Sequence, residues 1–237
     1  MKRTFVIFIL LLSVTILRSQ NSDNTRLPII GEKAPSFTVE STNGKITFPS
    51  DFGRSWKILF SHPQDFTPVC SSEILEMAYM QDEFDKLNTK ILVLSVDSLQ
   101  KHKDWVKAME EINYKDKGLA KITFPLAVDR HYRVSRSYGM IHNASSSQKT
   151  VRAVFIIDPE NVVQTILYYP MNVGRNIDEI KRTLTALQTV AKNNISTPAN
   201  WEQGNDVFLH AKPSAAELSK PDNGIYELAW FMILKKL

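Results

Sequence analysis

The run Ile91–Val96 most constrains how this chain can fold. It is almost wholly apolar and does not alternate as a strand with one wet face would. Six residues are too few for a buried helix, so the run predicts a strand covered on both faces, the situation inside a parallel sheet. Trp56–Ser61 reads as a second buried strand. Between them, Ser71–Leu87 carries Ile74, Leu75, Met77, Ala78, Met80, Phe84 and Leu87 at helical spacing. Leu99–Ile112 predicts another helix, Phe124–Val128 a short strand and Tyr132–Tyr138 a brief helix. Val151–Ile157 and Val162–Tyr169 predict a hairpin across Asp158-Pro159-Glu160-Asn161. Ile177–Lys192 is amphipathic, with Ile177, Ile180, Leu184, Leu187 and Ala191 on one stripe. Lys45–Phe48 predicts a further short strand after the turn at Asn43-Gly44. Strands alternating with helices, closed by a hairpin and a helix, predict an α/β sandwich.

Two segments fall outside that pattern. Lys2 and Arg3 precede Phe5–Leu17, an apolar run broken only by Ser13 and Thr15. A basic head before a short apolar run predicts a secretory signal over 1–19, with cleavage near Ser19 or Gln20. An uncleaved anchor is the alternative. The globular unit is placed at 27–190. From 191 to 237, prolines recur and Trp201, Val207, Phe208 and Trp230 stand among polar stretches, which predicts a C-terminal arm. Its last apolar run, Leu228–Leu234, is too short to span a bilayer and is expected to pack on the body or on a second subunit.

Charge narrows the function. The chain carries 29 bases and 25 acids. Three of the bases, Lys2, Arg3 and Arg18, lie in the leading segment, which leaves 26 against 25. No basic footprint for nucleic acid remains. The five histidines, His62, His102, His131, His142 and His210, show no metal-ligand spacing, and no phosphate-binding glycine loop is present, so neither metal nor cofactor is expected.

Cys70 is the single cysteine. It cannot form an internal disulfide. In an exported protein a lone thiol is either a buried, inert side chain or the working group. Its place at the start of a predicted helix favours the second reading, because free N–H groups and the helix dipole stabilise negative charge there.

The residues around it read Ser61-His62-Pro63-Gln64-Asp65-Phe66-Thr67-Pro68-Val69-Cys70-Ser71-Ser72-Glu73. Pro63, Thr67 and Cys70 form Pro-x-x-x-Thr-x-x-Cys, which resembles the active-site motif of the peroxiredoxins. The wider run, His-Pro-x-Asp-Phe-Thr-Pro-Val-Cys, is similar to that of the one-cysteine, peroxiredoxin 6-like subfamily. Ile30–Phe37, Tyr169-Pro170, Val173–Asn176 and Thr197–Trp201 extend the likeness over roughly 27–210. The resemblance implies a thioredoxin-like fold, a central mixed sheet flanked by helices, with a C-terminal arm. It implies a thiol peroxidase acting on hydrogen peroxide and organic hydroperoxides, and a homodimer. Cys70 would attack the peroxide, Thr67 and the Cys70 N–H would donate hydrogen bonds to it, and Pro63 would close the pocket. Arg152, the one charge in an apolar strand, would hold the thiolate; otherwise it reads as a solvent-facing edge arginine. Glu73 and Arg175 would support the network. His62 would line the pocket, or be a partly buried histidine at a strand end. With no second cysteine, an external thiol or other reductant must restore the enzyme from its sulfenic acid.

Three other readings compete. A thioredoxin-like scaffold or chaperone would leave Cys70 vestigial, and a redox sensor would use the same chemistry at lower turnover. Relatives of peroxiredoxin 6 also act as phospholipases through Gly-x-Ser-x-Gly with a histidine and an aspartate. Here Gly53-Arg54-Ser55-Trp56-Lys57 loses the second glycine, and Pro49 and Glu160 stand at the partner positions. Proline cannot serve as a general base, so lipase activity is not expected.

Overall fold

The computed structural model describes residues 27–218, 220 and 223–237. The expected signal segment, 1–19, lies outside the described residues. In chain order the strands of the body are β1 (Phe37–Ser41), β2 (Gly44–Phe48), β3 (Trp56–Ser61), β4 (Thr89–Ser95), β5 (Leu126–Val128), β6 (Arg152–Ile157) and β7 (Val163–Tyr169). The helices are α1 (Pro68–Tyr79), α2 (Gln81–Lys86), α3 (Leu99–Met109), α4 (Arg133–Ser137) and α5 (Ile177–Lys192).

The strands form one seven-stranded sheet in the order β2-β1-β5-β4-β3-β6-β7. The inner pairs β3–β4 and β4–β5 are parallel, and the remaining pairs are antiparallel, so the sheet is mixed as expected. Its centre explains the apolar runs. Ile58 and Phe60 of β3 face one core with Ile74, Val93, Trp105 and Leu184. Leu59 faces the other with Leu92, Phe155 and Tyr138. A strand sandwiched between two cores has no wet face on which to place polar residues.

Most expected elements are present with small shifts at their ends, and two differences matter. The helix expected over Ser71–Leu87 starts at Pro68 and breaks at Met80, which leaves the helical region at φ −100° and ψ 6°. Apolar spacing continues through the break because α1 and α2 cover the same core. β1 went unpredicted: its alternating half-buried pattern marks a hairpin near the edge of the sheet, joined to β2 through Thr42-Asn43.

The arm builds a second sheet. β8 (Ile195–Ser196), β9 (Val207–Leu209), β10 (Ile225–Ala229) and β11 (Met232–Lys235) pair in the order β10-β11-β9-β8, with α6 (Ala215–Leu218) between β9 and β10. α5 runs through 190 to Lys192, so the helix itself crosses the expected boundary. Trp201 is buried, and its carbonyl accepts from Arg182 of α5 at 2.7 Å, which fastens the arm to the body. The run Leu228–Leu234 divides: Ile233 and Leu234 are buried, while Leu228, Trp230 and Phe231 stand exposed. No helix among the described residues is long and apolar enough to cross a membrane.

Candidate active site

The site forms where β3 ends and α1 begins. Thr67 is the N-cap of α1 in an extended conformation, Pro68 is the first helical residue, and Cys70 lies within the first turn. Proline suits that position because its fixed φ is helical and its missing N–H would have no helical partner. The first helical hydrogen bond runs from the Ser71 N–H to the Thr67 carbonyl at 2.9 Å. The Cys70 N–H therefore precedes the ladder and points from the positive end of the helix. Thr67 does not cap with its side chain; its hydroxyl donates to the Gln64 carbonyl at 2.8 Å. Pro63 and Cys70 are buried, and Thr67 is half-buried.

Two arginines from distant segments meet at Glu73, one turn beyond Cys70. Arg152, at the start of β6, donates through Nη1 to Cys70 Sγ at 3.3 Å and to Glu73 Oε2 at 2.7 Å. Its Nε and Nη2 donate to the Met171 carbonyl at 2.9 and 2.5 Å. Arg175, just before α5, donates through Nε and its backbone N–H to Glu73 Oε1, both at 2.8 Å, and through Nη2 to Glu73 Oε2 at 2.7 Å. Its Nη1 donates to the carbonyls of Ser61 and Ala153, and its guanidinium lies 3.2 Å from the Phe60 ring centroid. Both arginines and Glu73 are buried. Arg152 is therefore not a solvent-facing edge residue. Burial pushes the Glu73 carboxyl up, but the hydrogen bonds and charge of Arg175 outweigh it and hold the group below its ordinary value. Burial lowers Arg175, and its bonds to Glu73 oppose that shift.

His62 is fully buried, not partly so. Its Nε2 lies 2.8 Å from Asp65 Oδ1, and Asp65 Oδ2 lies 2.7 Å from Nδ1 of His102 on α3. His102 Nε2 faces the Ala127 carbonyl at 3.3 Å. Burial lowers His62, against the opposing pull of Asp65. Burial raises the Asp65 carboxyl, but hydrogen bonds from His102 and His62 prevail and bring it to about 2. Sequence reading missed Asp65 and His102, because only the packing of α3 brings His102 to the loop after β3. The polar atoms of these three residues lie within 4.8 Å of one another, a metal-like grouping that linear histidine spacing did not reveal. Their short mutual contacts are those of a hydrogen-bonded network.

The residues considered for lipase chemistry do not assemble. The Ser55 hydroxyl donates to Asn88 at 2.9 Å, Glu160 pairs with Arg54 at the surface, and Lys57 is buried with Nζ on Asn161 Oδ1 at 2.7 Å.

Residues 30–166 match the AhpC/TSA family, and residues 186–220 match the C-terminal domain of 1-Cys peroxiredoxin. The chain is a peroxiredoxin. A peroxiredoxin of Methanosarcina mazei is 48% identical over 216 residues, 89% of this chain and 98% of that one. Peroxiredoxin 2 of Sulfurisphaera tokodaii is 49% identical over 176 residues, 74% of this chain and 80% of that one. Among solved structures, a yeast mitochondrial 1-Cys peroxiredoxin, studied for thiol resolution via glutathione/thioredoxin systems, matches with a TM-score of 0.79 at 36% identity. That match covers 89% of this chain and all of the yeast chain. Peroxiredoxin 6 of Arenicola marina matches with a TM-score of 0.77 at 30% identity, over 88% of this chain and 97% of that one. This peroxiredoxin thus has the thioredoxin-like fold of its relatives and is a thiol-dependent peroxidase.

Proposed function

We propose that this peroxiredoxin reduces hydrogen peroxide and organic hydroperoxides by a one-cysteine mechanism centred on Cys70. The contact that carries this reading is the 3.3 Å hydrogen bond from Arg152 to the Cys70 sulfur. Such a bond is stronger to a thiolate than to a thiol. The thiolate attacks the O–H oxygen of the hydroperoxide; an S–O bond forms, the O–O bond breaks, and hydroxide or alkoxide leaves. The sulfur is oxidised to sulfenic acid and the leaving oxygen takes a proton from solvent. The Cys70 N–H and Arg152 lie ready to meet developing negative charge before it forms. The Thr67 hydroxyl, already donating to Gln64, turns its lone pairs to a substrate O–H. Glu73 and Arg175 fix the Arg152 guanidinium, and Pro63 screens the sulfur from bulk water.

Because the chain has one cysteine, the second half of the cycle needs an external reductant, a thiol or another, and a thiol would act in two steps. One thiol displaces water from the sulfenic acid to give a mixed disulfide, and a second releases the Cys70 thiol and leaves as disulfide. The enzyme works as a homodimer; a monomer in sedimentation at working concentration would contradict this. The leading segment directs export, and recovery of the native protein in the cytoplasm with its first 19 residues intact would contradict that.

The test of the reading is a single turnover of pre-reduced protein with one equivalent of hydrogen peroxide. Intact mass should rise by one oxygen at Cys70, rapidly and stoichiometrically, and not in Cys70→Ser. Oxidation no faster than that of a free thiol would leave the scaffold reading in its place.

A further inference from the structure

A second cluster of reactive side chains lies in the arm. β8 and β9 pair antiparallel, with Ile195 opposite Leu209 and Ser196 opposite Phe208. The same register, carried one residue further, sets Asn194 opposite His210. Side chains two apart on a strand share a face, so Asn194 faces His210 directly and Ser196 faces it diagonally.

The three side chains meet there. Ser196 Oγ lies 2.7 Å from His210 Nε2, and His210 Nδ1 lies 3.2 Å from Asn194 Oδ1. An amide oxygen can only accept, so the ring proton is on Nδ1. Nε2 then carries the lone pair and accepts the Ser196 O–H. A hydroxyl, an imidazole and an orienting oxygen stand in series, each link within the roughly 2.6–3.2 Å that marks a nucleophile, its base and the group that turns the base. A single hydrogen bond would be enough to clasp two strands; the third group also fixes which nitrogen accepts, as a general base requires.

The position suits a reaction with a molecule from solvent. β8 is the outermost strand of the second sheet. Ser196 is half-buried, and His210 and Asn194 are exposed, so the fold need not open for a small molecule to approach the hydroxyl. An exposed face offers little to hold a long acyl chain, which restricts the substrate to short acyl groups on a good leaving group.

We propose that Ser196, His210 and Asn194 form an acyl-transfer site for small, activated carboxylic esters, separate from the peroxidase site. His210 Nε2 takes the Ser196 proton as Oγ attacks the ester carbonyl. The tetrahedral adduct collapses, the bond to the leaving oxygen breaks, and the proton passes from Nε2 to that oxygen. Water, deprotonated by the same nitrogen, then attacks the acyl-serine; the carboxylic acid leaves and Ser196 recovers its proton. Asn194 touches only the imidazole and is a positioning residue.

The test uses the full chain carrying Cys70→Ala, so that no thiol can take the acyl group. A fluorophosphonate is the first probe: Ser196 Oγ bonds to phosphorus, the P–F bond breaks and fluoride leaves, and peptide mass reports which serine is labelled. One adduct at Ser196 is expected, formed in folded protein and not in urea. His210→Gln should slow both this labelling and p-nitrophenyl acetate hydrolysis by about 10²-fold or more, the usual worth of a general base. Asn194→Ala should slow both by less, and Asn194→Asp should restore them, which loss of a strand clasp would not produce. Should the His210 variant fail to melt cooperatively, the comparison of folded with urea-unfolded protein carries the test. Labelling of Ser196 no faster in folded protein than in urea, or unchanged in a folded His210→Gln variant, would overturn the proposal.

Discussion

Glu73→Gln is the substitution whose cost the structure defines best. The Glu73 carboxylate accepts four hydrogen bonds, three from Arg175 and one from Arg152, at 2.7–2.8 Å. Glutamine preserves the volume but replaces one accepting oxygen with an NH2 group, which would point its hydrogens at guanidinium N–H groups. Two guanidiniums, each no more than 3% exposed, would then lack their counter-charge. Removing one partner of a buried ion pair costs about 3–5 kcal/mol. For a chain of this size each kcal/mol moves the midpoint by about 2–4 °C, so the variant should melt about 6–20 °C lower. Thermal unfolding of reduced protein, checked by denaturant titration, reads this directly. The pH dependence has a definite sign. Glu73 is held below its ordinary 4.5, so its contribution is complete above that value and is lost as pH falls through the folded-state value. The gap between wild type and variant should therefore narrow in acid. A midpoint within about 2 °C of wild type at neutral pH, less than the lower bound allows, would refute the view that Glu73 neutralises a buried cationic pair.

Arg152→Lys should slow single-turnover oxidation of Cys70 by about 10²–10³-fold, since an ammonium cannot reach the sulfur, Glu73 and the Met171 carbonyl together. A rate within about threefold of wild type, less than a single preorganised donor should be worth, would show that the guanidinium is not part of the reacting site. Asp65 should contribute to acid stability. Its carboxyl lies at about 2 against an ordinary 3.8, so about 2 kcal/mol is present above pH 4 and is lost toward pH 2. Urea unfolding of wild type and Asp65→Asn at pH 6 and pH 2 should show the difference shrinking; a constant difference would contradict the assigned carboxylate.

Much of the body was legible because local chemistry and tertiary environment agree there. The apolar runs at β3 and β4 have one stable home, a strand covered on both faces, and the stripe on α5 matches a helix with one buried side. The break at Met80 was not legible, since apolar spacing reports which face is buried and not whether the axis is continuous. β1 was missed for a related reason: Phe37 and Val39 are only partly buried, so the alternation that marks a strand is weak.

The site divides in the same way. The sequence by itself determined Pro63, Thr67 and Cys70, which lie within eight residues and are posed by one loop and the helix it opens. It also determined that a chain with one thiol can form no disulfide within itself. Only the tertiary structure decided that Arg152 and Arg175, 79 and 102 residues from Glu73, converge on one carboxylate. It alone brought His102 of α3 to Asp65 and closed the core over His62. Local motifs encode a turn and a cap, but charge pairing across the sheet depends on distances that exist only once the strands are in register.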